Sequence, residues 1–446
     1  MRVGSWVRWI AAGGIAAYFW YFAHGALWAH FAIDDPMNLG VYWRRGLGTS
    51  VADVAMLWRA SYRPMGAVFY LPIYHAFGMN PLPYRVAVVA LLAANIFLSW
   101  RISMLLTKST AAATLTAVLV CAHASMGSIY YNTSMIYDVL AFFFTALMLW
   151  MYMRWRDSRI AGVLVVLAYL AAVNSKEIAV VGAAWVVAYE VLLGRPRRWV
   201  VPAALTAIGI AFTASRALGP NSLSKQDGYQ LQITAHRFFL NARIYWNDLF
   251  YTEWFVTSRR IVIVWALTAI FCAIVRRREL WWAWFAMSTC MLPVIFTVQP
   301  RNGGSLYLPL LAVALWMATA ATVLFERWPI RQWAAAALVG LLMVPGTLHY
   351  WNERAPLLLG GQELTWTVLT QIRDLPRPAP GSRVLFLRNP FPDWDTYFMA
   401  TLLWNDHTLD VRLANHMDTP EDPQRFDWVL DFEGSRLKVV KGVGSW

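Results

Sequence analysis

Apolar stretches of about 16–23 residues recur from near the N-terminus to residue 349, separated by short polar joints. Each is long enough to approach the ~30 Å hydrocarbon core as a helix. The pattern predicts membrane helices near 6–28, 83–106, 110–127, 135–154, 159–173, 178–194, 198–216, 258–275, 280–298, 304–325 and 331–349. The first stretch has no small-residue cleavage site and is too long for a signal-peptide core, so it reads as a retained anchor. "RPMGAVFYLPIYHAFG", 63–78, is apolar but short and holds Pro72; it reads as a juxtamembrane helix along the outer interface.

Basic clusters set the orientation. With 63–78 kept out of the membrane, Arg2 and Arg8, Arg101 and Lys108, "RWRDSR" at 154–159, "RPRR" at 195–198, "RRR" at 276–278, and Arg327 with Arg331 all fall on one side, the cytoplasm. The N-terminus is then inside and the C-terminus outside. The first outer loop is 29–82, and a second large one, polar and aromatic, is 217–257. The outer segments still carry Arg44, Arg45, Arg59, Arg63, Arg237 and Arg243, more arginine than orientation requires, which suits a face that handles an anion.

From residue 350 the chain changes character. "LPRPAPGSR", 375–383, is a proline-rich linker; "VLFLR" at 384–388 and "LDVRLAN" at 409–415 read as strands flanking a helix at 396–404. "WVLDFEGSRLKVV", 428–440, reads as a hairpin broken at Glu-Gly-Ser. A membrane domain over 1–349 and a small α/β extracytoplasmic domain over 350–446 follow.

Composition sharpens this. The chain has 446 residues, 59% hydrophobic and 14% charged, against about 25% charged in soluble domains. The net charge of +13 lies largely in the joints between apolar stretches, which argues for topology and against nucleic acid as a partner. Cys121, Cys272 and Cys290 all sit in apolar stretches, with neither disulfide nor metal-ligand spacing. His75, His123, His236 and His349 share no ligand spacing, and no Walker or Rossmann pattern occurs.

Ionisable groups against a membrane are functional candidates. Asp34 and Asp35 follow the first helix, where a solvated helix start is the competing explanation. Arg63 opens the juxtamembrane helix at headgroup depth, where a guanidinium either snorkels or binds phosphate. Lys176 and Glu177 in "AAVNSKEIAVV" interrupt two apolar runs with almost no loop between, as a surface turn or as a cation aimed at a phosphate. Asp138 lies one turn inside a helix. Arg301 sits in the short turn "QPRNGGSLYLP" before Tyr307.

An acidic pair after helix one, "SYRP" opening an interfacial helix, "SKE" at an outer turn and "RNGGSLYLP" late in the chain occur in an order that resembles the GT-C glycosyltransferases. The nearest resemblance is to the bacterial and TMTC-like protein O-mannosyltransferase branch, over about residues 1–330. It implies a mainly α, polytopic GT-C bundle of about 11 spans. It also implies an enzyme of the bacterial inner membrane, with its site facing the periplasm, that moves a sugar from a polyprenyl-phosphate donor to a hydroxyl with inversion. Asp34 or Asp35 would be the catalytic carboxylate, and Arg63, Lys176 and Arg301 would bind the donor phosphate. Asp138, Glu177 and Tyr307 would support the site or the acceptor. Asp34 and Asp35 are also the candidate ligands of a divalent cation, Mg or Mn. The Asn-Gly-Gly after Arg301 departs from the family's late motif. The acceptor class (protein, lipid or glycan) stays open. A transporter, which needs midplane polar groups and related halves, and a non-catalytic membrane assembly protein are the alternatives.

Overall fold

The computed structural model of the chain describes residues 5–58, 63–220, 222, 225, 228–301, 303–417 and 422–442. Arg2, Arg59, Ser61, Tyr62 and Asn302, used in the sequence reading, lie outside the described residues. Helices α1 (Ser5–Ala23), α2 (Asp34–Arg45), α3 (Leu47–Ala55), α4 (Met65–Phe77), α5 (Pro81–Thr107) and α6 (Thr110–Cys121) come first. The short α7 (Ser128–Tyr131) leads to α8 (Ile136–Trp155), α9 (Arg159–Ser175), α10 (Val181–Leu192) and α11 (Val200–Leu218). Then follow α12 (Ala235–Phe250), α13 (Ser258–Val275), α14 (Arg278–Thr289), α15 (Tyr307–Val323), α16 (Pro329–Gly360) and α17 (Glu363–Arg373).

Local chemistry sets many of the starts. Asn80, Ser109, Ser158 and Thr234 each accept a hydrogen bond from a backbone N–H in the first turn of α5, α6, α9 and α12. Pro81 and Pro329 occupy first-turn positions, where a missing N–H costs nothing.

The protein is a mainly α, polytopic membrane protein with a small C-terminal sheet. Among the described residues six helices are long and apolar enough to cross a membrane, or seven if the pair Thr110–Cys121 and Ala124–Tyr131, bent by 49°, is one span. That is fewer than the eleven expected. The difference lies in α1, which has 19 residues but is not among the six, and in short helices: α9 has 17 residues, α10 and α14 have 12 each, and the stretch expected as one helix over 280–298 stops at Thr289. Helices α8 and α15 are the most enclosed of the long ones, whereas α13 is almost wholly exposed, as a lipid-facing helix should be.

Two further helices fall outside the expected spans. The 217–257 loop contains the 16-residue helix α12. Helix α16 runs on to Gly360, past the point where the membrane part was expected to end.

The C-terminal region has strands β1 (Arg383–Phe386), β2 (Asp410–Leu413), β3 (Trp428–Glu433) and β4 (Arg436–Lys441), with α18 (Asp395–Trp404) between β1 and β2. The sheet order is β2-β1-β3-β4; β1 runs parallel to both neighbours, and β4 returns antiparallel to β3. Gly434, at φ +63°, makes the tight turn of that hairpin. This unit is fastened to α2 and α4. Trp43 Nε1 donates to Asn405 Oδ1 at 2.9 Å and its ring stacks on His407 at 3.7 Å. Tyr74 donates to the Leu402 carbonyl at 2.7 Å. Gly40 lets Phe398 pack against α2: a Cβ there would stand 2.4 Å from the ring.

Candidate active site

Three separate parts of the chain meet at Lys176. Its position follows from the break between α9 and α10, where residues 177–180 form a single 3-10 turn. Lys176 Nζ lies 2.6 Å from both carboxylate oxygens of Asp138 and donates to Ser305 Oγ at 3.0 Å. Asp138 is one turn into α8 and buried, so its charge needs a partner, and Lys176 supplies it.

Glu177, next in sequence, pairs with Arg63, whose Nη2 is 3.1 Å from Oε2. Burial pushes the Glu177 carboxyl up, but Arg63, backbone hydrogen bonding and Arg216 outweigh it and hold the group below its ordinary range. Arg63 has φ +49°, a sparsely populated backbone region for a side-chain-bearing residue, costing of order 1–3 kcal/mol. Its carbonyl accepts from Tyr42 at 2.8 Å, and its guanidinium lies 5.2 Å from the centre of the Tyr137 ring. Both contacts hold it in that conformation.

Tyr229 links two cations. Arg63 Nη2 donates to its hydroxyl at 3.3 Å, and the Arg301 guanidinium stacks on its ring at 3.6 Å. The stretch 228–232 is held against 296–299 by backbone bonds from Gln232 to Phe296, Val298 to Gln230 and Gln299 to Gly228. The Arg301 backbone N–H donates to Tyr245 at 2.8 Å. Its Nε is buried without a hydrogen-bond partner among the described residues, a donor that a ligand oxygen would satisfy. Arg63, Lys176 and Arg301 are thus brought together with Asp138 and Glu177, and the charge of Arg216 also reaches Glu177.

The two acids at the start of α2 part company. Asp35 is fully enclosed: its Oδ2 accepts from the Ala32 N–H at 2.8 Å and lies 3.8 Å from Arg85 Nη2, itself fully buried. Burial, partly offset by Arg85, raises the Asp35 carboxyl to about 6. Asp34 opens α2 on the exposed side. Loss of solvent, and then the charge of Asp393, raises its carboxyl above the ordinary range. The Asp34 carbonyl accepts from Asn38 Nδ2, and Tyr137 donates to Asn38 Oδ1 at 2.9 Å, tying the start of α2 to the residue beside Asp138. Consecutive residues of a helix do not share a face, and Asp35 is turned toward Arg85. The pair therefore does not fit the divalent-cation site considered from sequence, and no group of three metal-ligating side chains occurs among the described residues.

Tyr307 lies elsewhere, buried and stacked on Phe142 at 4.4 Å between α15 and α8. Sequence reasoning missed Tyr229, Ser305, Arg85, Arg216 and the Asn38–Tyr137 link. Only Tyr137, adjacent to Asp138, stood beside a flagged residue.

From Val180, four residues after Lys176, an apolar cavity of about 970 Å³ runs between α10, α11 and α14, lined by residues such as Ala184, Val187, Ile210 and Trp284.

No family model matches the chain, and no curated protein matches its sequence. Its fold does match a solved structure. The crystal structure of ArnT from Cupriavidus metallidurans bound to undecaprenyl phosphate superposes with a TM-score of 0.51 over 93% of this chain and 86% of that one, at 15% identity. The chain has the fold of ArnT. At that identity the likeness is one of architecture.

Proposed function

We propose that the protein is a GT-C-type glycosyltransferase of the bacterial inner membrane, N-terminus inside, that moves a hexose from a polyprenyl-phosphate donor to an acceptor hydroxyl on the periplasmic side. The observation that carries this reading is the gathering of Lys176, Arg63 and Arg301, the last with a buried Nε that has no partner among the described residues, near an apolar cavity. A phosphate on a prenyl chain has both halves of that complementarity. The fold likeness to ArnT, whose structure holds undecaprenyl phosphate, supports the same donor class.

The residues divide the work. The tail lies in the cavity leading from Val180, and the phosphate meets Lys176, Arg63 and Arg301. Asp34 is the general base, because Asp35 is engaged by Arg85 while Asp34 stands free at the exposed start of α2. The acceptor hydroxyl gives its proton to Asp34 as its oxygen attacks the anomeric carbon, and the bond to the phosphate oxygen breaks. The cations stabilise the charge left on the polyprenyl phosphate. A single displacement inverts the anomeric centre. Asp138 and Glu177 hold Lys176 and Arg63 in position.

The test is to reconstitute the protein in liposomes with radiolabelled polyprenyl-phosphate hexoses and follow release of polyprenyl phosphate. Cleavage of the sugar–phosphate bond that is lost in Asp34→Asn is the expected result. Movement of labelled substrate across the bilayer without bond cleavage would favour a transporter instead.

A further inference from the structure

At the end of the helix bundle away from Lys176 lies a second, polar cavity of about 600 Å³. Helix α15 starts at Tyr307, just beyond the Ser305 that touches Lys176, and its 17 residues carry the chain about 25 Å before Thr322 and Val323 reach the cavity wall. The end of α5 and the starts of α1, α6, α14 and α16 close around it. Trp9, Trp328 and Ile330, next in sequence to lining residues, are exposed, as befits the headgroup level of a membrane. The proposed chemistry does not use this cavity.

Its lining carries three cations, Arg8, Lys108 and Arg277, and two carboxylates, Glu279 and Glu326. Both carboxylates lie against Arg277: Glu326 Oε1 accepts from its Nη2, and Glu279 Oε2 stands 3.7 Å from its Nε. Arg8 and Lys108 have no partner among the described residues. Three positive charges against two negative ones leave an excess of one. The first turn of α6 lines the same space with Ser109, Thr110 and Ala111 and adds the positive end of a helix. Some polar groups of the wall are already engaged: Ser109 donates to Gln332 Oε1 at 2.9 Å, and Thr322 to the Ala318 carbonyl at 2.8 Å. Thr319, one turn before Thr322 on the same face, is 2% exposed, and its hydroxyl has no hydrogen-bond partner among the described residues. A buried hydroxyl in that state calls for a partner from the cavity that it lines.

A phosphodiester carries a single negative charge, equal to the excess, whereas a phosphate monoester carries about 1.5–2. A carboxylate offers more lone pairs than one guanidinium uses, so Glu279 and Glu326 can still accept from hydroxyls beyond the phosphate. Basic pockets between membrane helices at headgroup depth suit such ligands. From this geometry we propose that the cavity binds the phosphodiester headgroup of an anionic phospholipid, of the phosphatidylglycerol type, drawn from the leaflet opposite the candidate active site. The site stands whether or not the protein transfers a sugar.

Native mass spectrometry of the full chain in detergent, titrated with phosphatidylglycerol, phosphatidylcholine or inorganic phosphate, tests this. Phosphatidylglycerol should bind about tenfold more tightly than phosphatidylcholine, and Arg8→Gln/Lys108→Asn should remove most of that preference. Asparagine suits position 108 because it tolerates the left-handed backbone there, φ +55°. Thr319→Val, which removes only the partnerless hydroxyl, should weaken binding severalfold without lowering the unfolding midpoint. Arg159→Gln, at a different basic joint, should bind as the wild type does. Equal binding of the two lipids, binding unchanged in the double variant or in Thr319→Val, an equal loss in Arg159→Gln, or displacement of phosphatidylglycerol by inorganic phosphate would overturn the inference.

Discussion

Lys176 and Asp138 are joined at both carboxylate oxygens, with Nζ 2.6 Å from each, although 38 residues separate them in sequence. Both side chains are nearly enclosed. Removing one partner of a buried pair leaves an uncompensated charge and costs about 3–5 kcal/mol. Lys176→Ala should therefore destabilise the protein by about that amount, read as a lowered unfolding midpoint in detergent. The double variant Lys176→Met/Asp138→Leu should recover most of the loss while remaining unable to bind donor phosphate. Stability and function then separate in one cycle.

Asp34 and Asp35 should behave as different kinds of residue. Asp35→Ala strands Arg85, fully buried, and is expected to lower stability by about 3–5 kcal/mol. Asp34→Asn should leave the unfolding midpoint unchanged. Side-by-side denaturation of the two variants reads this directly; equal loss in both would mean that Asp34 is structural as well.

Ionisation at the start of α2 gives a pH signature. The Asp34 carboxyl is raised, so transfer should decline on acidification at a pH above that of an ordinary aspartate. Asp393 contributes to that rise and is exposed, so Asp393→Asn removes a neighbouring negative charge and should move the acid limb of the pH–rate profile to lower pH. For stability the sign is opposite to that of a salt-bridged acid. The folded-state value of Asp395, about 7, exceeds its unfolded value, so this group's contribution is complete below about pH 4 and is lost as pH rises toward 7. Asp395→Asn should flatten that slope in unfolding measured across pH.

Attachment of the C-terminal unit depends on a missing side chain. A methyl group at Gly40 would collide with Phe398 at 2.4 Å, where α18 lies on α2. Gly40→Ala should loosen this contact and speed proteolysis in the proline-rich 375–383 linker, while Gly13→Ala, with open space around it, should not.

Much of this was legible in the chain. The residues that interrupt apolar runs (Asp138, Lys176, Glu177) had to meet something, and burial explains why they met one another. The alternation of "VLFLR", "LDVRL" and the Glu-Gly-Ser break marked the strands and hairpin, since period-two patterns and a glycine turn are local signals. Tyr229 was not legible: it lies in a polar segment without periodicity, and only pairing with 296–299 brings it under Arg301. Nor could sequence separate Asp34 from Asp35, because the distinction is made by Arg85, 50 residues beyond Asp35 on another helix. The span count was overread for a related reason. Hydropathy does not register where a helix such as α14 gives way to turns while remaining apolar.

The most direct test of the central claim, that a free carboxylate at Asp34 acts on a donor phosphate held by Arg63, Lys176 and Arg301, is a comparison of donor binding with turnover in Asp34→Asn and Arg301→Ala. Asp34→Asn should bind polyprenyl-phosphate hexose as the wild type does while transfer falls by about 10²–10⁴-fold. Arg301→Ala should instead weaken binding, since its buried Nε, without a partner among the described residues, is offered to the phosphate. Transfer at the wild-type rate in Asp34→Asn, with donor bound normally by Arg301→Ala, would contradict the account.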